Sequence, residues 1–137
     1  MDGTQGILSL GDLAITGAGT FFGPDVDDLD GMTAATLQLR FAYGSGGVTV
    51  DAFVQTSLDQ GTTWIDIWHE QFATVADVKI ANVSALTPVT APVTPNDGAL
   101  AAGAVLDGVL GDRLRLKAVV AGIYAGSTVL SGRAAVR

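Results

Sequence analysis

The sequence predicts an all-β protein, and three observations lead to this. Apolar and polar residues alternate with a period of two in several short runs, as where Leu37 and Leu39 alternate with Gln38 and Arg40. The chain contains 18 glycines, and its turn signals recur between these runs. No long stretch has the periodicity of an amphipathic helix. Together these features predict about eight short strands in an antiparallel β-sandwich that resembles a jelly roll.

The length of 137 residues suits a single domain. We assign this domain to residues 25–137. Residues 1–24 contain two short apolar runs, 6–10 and 13–16, broken by glycine, and we expect an N-terminal extended arm or edge strands there.

The clearest strand predictions lie in the middle of the chain. Residues 35–43, 48–56 and 64–72 alternate like strands, and the glycine-rich residues 44–47 resemble a hairpin turn between the first two. Three consecutive strands joined by tight turns predict a central meander.

The second half is less regular. Residues 87–96 hold three prolines and are expected to form an extended loop, whereas residues 99–110 fit either a helical turn or an irregular strand. Further strands are predicted at residues 77–83, 113–120 and 128–136.

Composition excludes several classes of function. The net charge of −7 argues against nucleic acid as a partner. The chain has no cysteine, so it has neither disulfides nor thiolate metal ligands. The N-terminus lacks the pattern of a secretory signal, and no apolar run is long enough for a membrane helix. We therefore expect synthesis in a cytoplasm, and no membrane partner.

Residues 57–64 form the longest motif in the chain, the S-x-D-x-G-x-T-W pattern called an Asp-box. Asp59 is expected to accept hydrogen bonds from turn amides, and Gly61 to supply a positive φ. Thr63 resumes the strand and Trp64 covers the turn, which Ser57 begins. The motif resembles the Asp-boxes of sialidases, but a propeller needs at least four blades and this chain has one copy. A structural hairpin is therefore favoured over a catalytic role.

An acidic run invites a calcium hypothesis. Its carboxylates belong to Asp25, Asp27, Asp28 and Asp30, and hard cations bind several oxygen ligands from one loop. The EF-hand register fails, because Leu29 falls at a ligand position and Thr36 replaces the closing glutamate. We expect a solvated acidic loop, with no metal and no cofactor.

Catalytic alternatives find little support. His69 is the only histidine, and no serine has the glycine pattern of a nucleophile elbow. Asp66 and Glu70, four apart on one predicted strand, would be roughly 13 Å apart, too far for a glycosidase pair. We therefore predict no catalytic residues and a protein that is not an enzyme.

Three groups of residues are candidates for an interface. Trp64, Trp68 and Phe72 share a predicted strand face with Asp66 and Glu70, and an exposed face of this kind would resemble a sugar-binding platform. The other candidates are an aromatic pair and a basic stripe along one strand, namely Phe21, Phe22, Arg113, Arg115 and Lys117.

Residues 55–67 and 106–117, taken together, resemble small structural proteins of tailed phages and prophages. The resemblance spans residues 35–137 and implies a β-sandwich virion component, such as a capsid decoration protein, a head fibre or a tail-associated module. It implies binding to the major capsid protein or another virion protein, self-association into an oligomer, and location in the virion. The alternative function is a carbohydrate-binding module of a phage fibre or adhesin, built on Trp68.

Overall fold

The computed structural model describes residues 6–137, which form two four-stranded antiparallel sheets packed face to face. The strands are β1 (Gly6–Ala14), β2 (Gly19–Phe22), β3 (Ala34–Ala42), β4 (Ser45–Gly46), β5 (Thr49–Thr56), β6 (Ile65–Phe72), β7 (Asp77–Ser84), β8 (Leu114–Ala121), β9 (Tyr124–Ala125) and β10 (Val129–Val136). The first sheet has the order β1-β10-β3-β7 and the second β2-β8-β5-β6. The predicted all-β sandwich is confirmed. Residues 1–5 of the predicted arm lie outside the described residues.

The strand pairing is that of a jelly roll. Strand β1 pairs with β10, β2 with β8, β3 with β7 and β5 with β6. The first long strand thus pairs with the last, the second with the last but one, and so on inward, as in one long hairpin rolled onto itself. This winding interleaves residues 6–70, which hold nine acidic residues and one basic residue, with residues 71–137, which hold four acidic and six basic residues.

The core lies between the two sheets and follows the alternation of the sequence. Leu37, Leu39 and Phe41 of β3 face Val50 and Val54 of β5 across it, and all five side chains are buried. Because each strand has one apolar face, the same pattern that predicts a strand also predicts its buried side.

The predicted three-strand meander is wrong in its first half. Strand β3 belongs to the first sheet, whereas β5 and β6 form a hairpin in the second. Residues 43–48 therefore carry the chain from one sheet to the other, and within them β4 pairs with β9. Gly46 and Gly47 have positive φ angles of 74° and 77°, which suit this crossing as well as a hairpin turn.

The N-terminal segment forms edge strands. Strand β1 lies at one edge of the first sheet beside β10, and β2 lies at one edge of the second sheet beside β8. A bulge between Ser9 and Gly11 interrupts β1 and leaves the side chain of Leu10 buried in the core.

Residues 85–113 have neither helix nor long strand, and part of this segment runs along β6. Ile67 accepts a backbone hydrogen bond from Leu106, and His69 exchanges bonds with Ala104 and Gly103. An isolated bridge pairs Val105 with Trp68. These contacts cover the free edge of β6, which would otherwise expose unpaired backbone groups. Within residues 6–137, no helix is long and apolar enough to cross a membrane.

Candidate functional site

The turn between β5 and β6 is closed by the side chains of its own sequence motif. The Ser57 hydroxyl accepts a hydrogen bond from the Gly61 N–H at 2.9 Å and donates one to Asp59 at 2.9 Å. Asp59 also accepts the Thr63 N–H at 2.7 Å, and these bonds, that from the Thr63 backbone foremost, hold its pKa below the ordinary aspartate value. Gln60 and Gly61 take the positive φ angles. The motif therefore stabilises the turn, and the side-chain oxygens of Ser57 and Asp59 form hydrogen bonds within it.

Ser57→Ala is expected to lower the free energy of unfolding by about 1–2 kcal/mol, because the buried Ser57 hydroxyl is the acceptor for the Gly61 amide. Urea unfolding followed by tryptophan fluorescence measures the change. Leu58→Ala is the matched control, since the neighbouring Leu58 side chain is exposed. Equal stability of the two variants would show that Ser57 does not hold the turn.

A bulge decides which way the side chains of β6 point. Val54 lies opposite Trp68, but the next residue, Gln55, lies opposite Asp66, so one residue of β6 is extra. Asp66 consequently faces away from the core, while Glu70 lies opposite Ala52 on the core side. The prediction that Asp66 and Glu70 share a face is wrong, and they do not form a carboxylate pair.

The same bulge buries Trp68. Its side chain is only 1% exposed and lies in the core, where its indole N–H donates to Glu70 at 3.0 Å. Trp64 lies on the other side of the sheet, with the Arg115 guanidinium 4.2 Å above its ring. The prediction of Trp68 as an exposed interface residue is wrong, and so is the shared aromatic face.

A polar cluster covers the outer face of the second sheet, and we call it the outer polar network. Its members are Gln55, Asp66, Asp97, Arg115 and Lys117. The Gln55 amide donates to both Asp66 and Asp97 at 2.7 Å, and its oxygen accepts the Arg115 Nε–H at 2.7 Å. Lys117 donates to Asp97 at 2.8 Å. Asp97 thus attaches the long loop to the face of the sheet.

The Asp66 carboxylate accepts four hydrogen bonds in the network. One of its oxygens accepts the backbone N–H groups of Gly98, Ala99 and Leu100 at 2.7–3.1 Å, while the other accepts from Gln55. The side chain is 1% exposed. Three consecutive N–H groups that converge on one oxygen form an anion-binding nest, and here the chain fills the nest with its own carboxylate.

The charges of the network balance within the chain. Burial acts to raise the pKa of Asp97, but hydrogen bonds from Lys117 and Gln55 and the nearby Arg115 outweigh it and hold this pKa below the ordinary value. Arg115 and Lys117 side chains are each only 13% exposed, and Arg113 pairs with Asp112 at 3.1 Å. The predicted basic stripe therefore has its partners within its own subunit.

His69 has no free ring nitrogen. One nitrogen lies 2.6 Å from the Leu100 carbonyl oxygen and the other 2.8 Å from Asp51, while the ring stacks on Phe53 at 4.0 Å between centroids. A general base needs a nitrogen that reaches the substrate. His69 instead connects the long loop to β6.

The acidic run does not assemble a cation site. Its members Asp25, Asp27, Asp28 and Asp30 are exposed, and no group of three or more carboxylates or imidazoles in residues 6–137 converges as metal ligands. The hydrogen bond to Asp112 is the main cause that raises the pKa of Arg113 above its ordinary value. The negative charges of Asp27 and Asp25 in the acidic run raise it further.

Large apolar side chains are exposed at several places on the surface. Phe21 and Phe22 of the edge strand β2 are 36% and 48% exposed, and the Arg115 guanidinium lies 4.4 Å from the Phe22 ring. Other large apolar side chains are also exposed, among them Ile7, Val48, Val75, Ile80 and Ile123. Exposed apolar side chains of this size suit contact with another macromolecule more than catalysis.

Sequence analysis missed the two residues that organise the outer face. Gln55 lies within the predicted strand 48–56, and Asp97 lies in the loop after Pro95. The one available signal was Gln55 itself, a polar residue that precedes Thr56 and Ser57 in a strand otherwise rich in apolar residues.

Neither a comparison with models of protein families nor one with curated proteins finds a match to this chain.

Proposed function

We propose that this protein is a non-enzymatic structural component of a tailed-phage virion, of the capsid decoration or head-associated kind. It binds the capsid surface or a neighbouring virion protein and associates with itself. The observation that carries the proposal is that the side chains considered for catalysis, Asp66, His69 and Glu70, are engaged in hydrogen bonds within the fold, while large apolar side chains are exposed. A rigid scaffold with an apolar surface is suited to binding.

Two further features support the proposal. Jelly rolls occur in viral capsid proteins, so the fold is compatible by analogy with a virion role. The second feature is the resemblance of residues 55–67 and 106–117 to small phage structural proteins. In this proposal the Asp-box turn is a structural lock on the β5–β6 hairpin and takes no part in chemistry.

The carbohydrate-binding alternative loses its basis. It required Trp68 as an exposed stacking platform beside Asp66 and Glu70, whereas Trp68 lies in the core and the two carboxylates face opposite sides of the sheet. A flat exposed ring is what binds a pyranose face, and Trp68 offers none.

The experiment is co-sedimentation with empty capsids assembled from the major capsid protein encoded in the same gene cluster. We expect the protein to pellet with capsids in a saturable manner and to remain in the supernatant with unassembled capsid subunits. Binding restricted to the assembled state would stabilise the shell by mass action, and a rise in the capsid melting temperature would report it. A protein that neither binds capsids nor associates with itself would contradict the proposal.

A further inference from the structure

The two ends of the sandwich differ sharply in charge. At one end the strands are connected by residues 15–18, 43–48, 73–76 and 122–128, which we call the uncharged tip. These segments contain no aspartate, glutamate, lysine, arginine or histidine. At the protein's 15% of charged residues, about three would be expected in that length of chain. The nearest charge along the sequence is Asp77, which begins β7 and pairs with Lys79.

The opposite end carries the acidity of the protein. Its loops, residues 23–33, 57–64 and 85–113, hold eight of the 14 acidic residues: Asp25, Asp27, Asp28, Asp30, Asp59, Asp97, Asp107 and Asp112. The strands between the two ends are eight or nine residues long apart from the short edge strand β2. At about 3.3 Å per residue they separate the acidic end from the tip by roughly 26 Å, some three Debye lengths at physiological salt.

The uncharged tip exposes apolar side chains. Val48, Val75 and Ile123 come from three of its four segments and are 59%, 71% and 77% exposed. Loops usually carry polar residues, so three exposed aliphatic side chains without a charge among them resemble the core of a protein interface, where charged residues are depleted.

The tip is also rigidly held. Tyr124 is buried and ties its segments together: its backbone N–H donates to Thr16 at 3.1 Å, its hydroxyl donates to Ala73 at 2.7 Å, and β9 pairs with β4 through Gly46. Gly47 donates to the Ile123 carbonyl at 2.7 Å. A surface ordered before binding loses less conformational entropy on association.

We propose that the uncharged tip is a self-association surface, on which a second copy of this chain docks tip to tip about a two-fold axis. The charge distribution selects the tip-to-tip orientation of the two copies. Two copies with a net charge of −7 repel each other, and tip-to-tip contact places both acidic ends at the far ends of the pair. A side-by-side pair brings acidic loops together instead. A two-fold contact also matches each apolar tip with an identical apolar tip.

The size of the tip sets the expected affinity of the dimer. Four strands at about 4.8 Å and two sheets about 10 Å apart give an end of roughly 400 Å², half of what one partner contributes to a standard interface. We therefore expect a weak dimer, with a dissociation constant on the order of 0.1 mM. The inference rests on the self-association in the proposed function and names its surface.

The test is sedimentation equilibrium of the purified protein up to about 1 mM. We expect the wild type to move from monomer to dimer with concentration, and Ile123→Asp to weaken the dimer at least about tenfold by burying a charge at the contact. Ile80→Asp is the matched control, because Ile80 is exposed on the outer face of the first sheet, and it is expected to dimerise like the wild type. Small-angle scattering should give a dimer about twice as long as the monomer.

Several results would overturn the inference. These are a wild type that stays monomeric at the highest concentration, a dimer that survives Ile123→Asp or is lost in Ile80→Asp, and a compact dimer in scattering. A monomeric wild type whose capsid binding is lost in Ile123→Asp would overturn the second copy as occupant and assign the tip to the capsid. A tip-dependent dimer that binds no capsid would leave the inference standing and count against capsid docking alone.

Discussion

Trp68→Ala is expected to lower the free energy of unfolding by about 3–5 kcal/mol, because it empties the site of one of the largest fully buried side chains in the core. The loss has two sources. The cavity removes the contacts of the indole with both sheets, and the partly buried Glu70 carboxylate loses its indole donor. Urea unfolding by circular dichroism measures the change without depending on tryptophan fluorescence.

Phe22→Ala is the comparison for this variant, since Phe22 is an aromatic residue that lies half exposed on an edge strand. Its replacement is expected to cost less than about 1 kcal/mol. A Trp68→Ala protein as stable as the Phe22→Ala protein would mean that Trp68 is not in the core, and the sugar-binding platform would again deserve testing.

The alternation of residues predicted the strands and their buried faces, but it did not predict which sheet each strand joins. Residues 37, 39 and 41 alternate in the same way whether β3 pairs with β5 or packs across the core from it. The turn chemistry does not distinguish the two either, because Gly46 and Gly47 supply positive φ angles in both. Sheet membership depends on long-range pairing, here of β3 with β10 and β7.

The bulge beside Gln55 explains why the aromatic face was predicted wrongly. A strict period of two places Trp64, Trp68 and Asp66 on one side, and a single extra residue reverses that relation between Asp66 and Trp68. Strand β6 contains no glycine or proline that would indicate the bulge. What favours it is tertiary: Asp66 meets the nest at residues 98–100, and Trp68 fills the core.

The position of residues 96–106, the loop that covers the edge of β6, could not be predicted from the sequence for a related reason. Residues 96–106 are mostly glycine, alanine and other small residues, with no period that indicates a face. Their position is set by backbone groups that bond to β6 and to the Asp66 carboxylate, and backbone bonds leave no trace in a side-chain pattern.

Asp66→Ala is expected to lower the free energy of unfolding by roughly 3–5 kcal/mol, since it leaves three converging backbone N–H groups and one hydrogen of the Gln55 amide without their acceptor, next to the Arg115 guanidinium. The loss of stability should appear first at the loop that Asp66 binds, before the whole protein unfolds. Amide hydrogen exchange at residues 98–100 is expected to accelerate by orders of magnitude relative to the core strands, because the carboxylate is what protects these amides.

Two variants separate the role of the carboxylate from that of its charge. Asp66→Asn keeps the shape and one acceptor oxygen but turns a donor toward other donors, so its stability should fall between those of the wild type and Asp66→Ala. Asp30→Ala removes an exposed carboxylate and is expected to change stability by less than about 0.5 kcal/mol. Should Asp66→Ala match Asp30→Ala while amides 98–100 stay protected, the loop would be held by Asp97, His69 and its backbone bonds to β6. In that case the carboxylate in the nest would not be what binds the loop to the sheet.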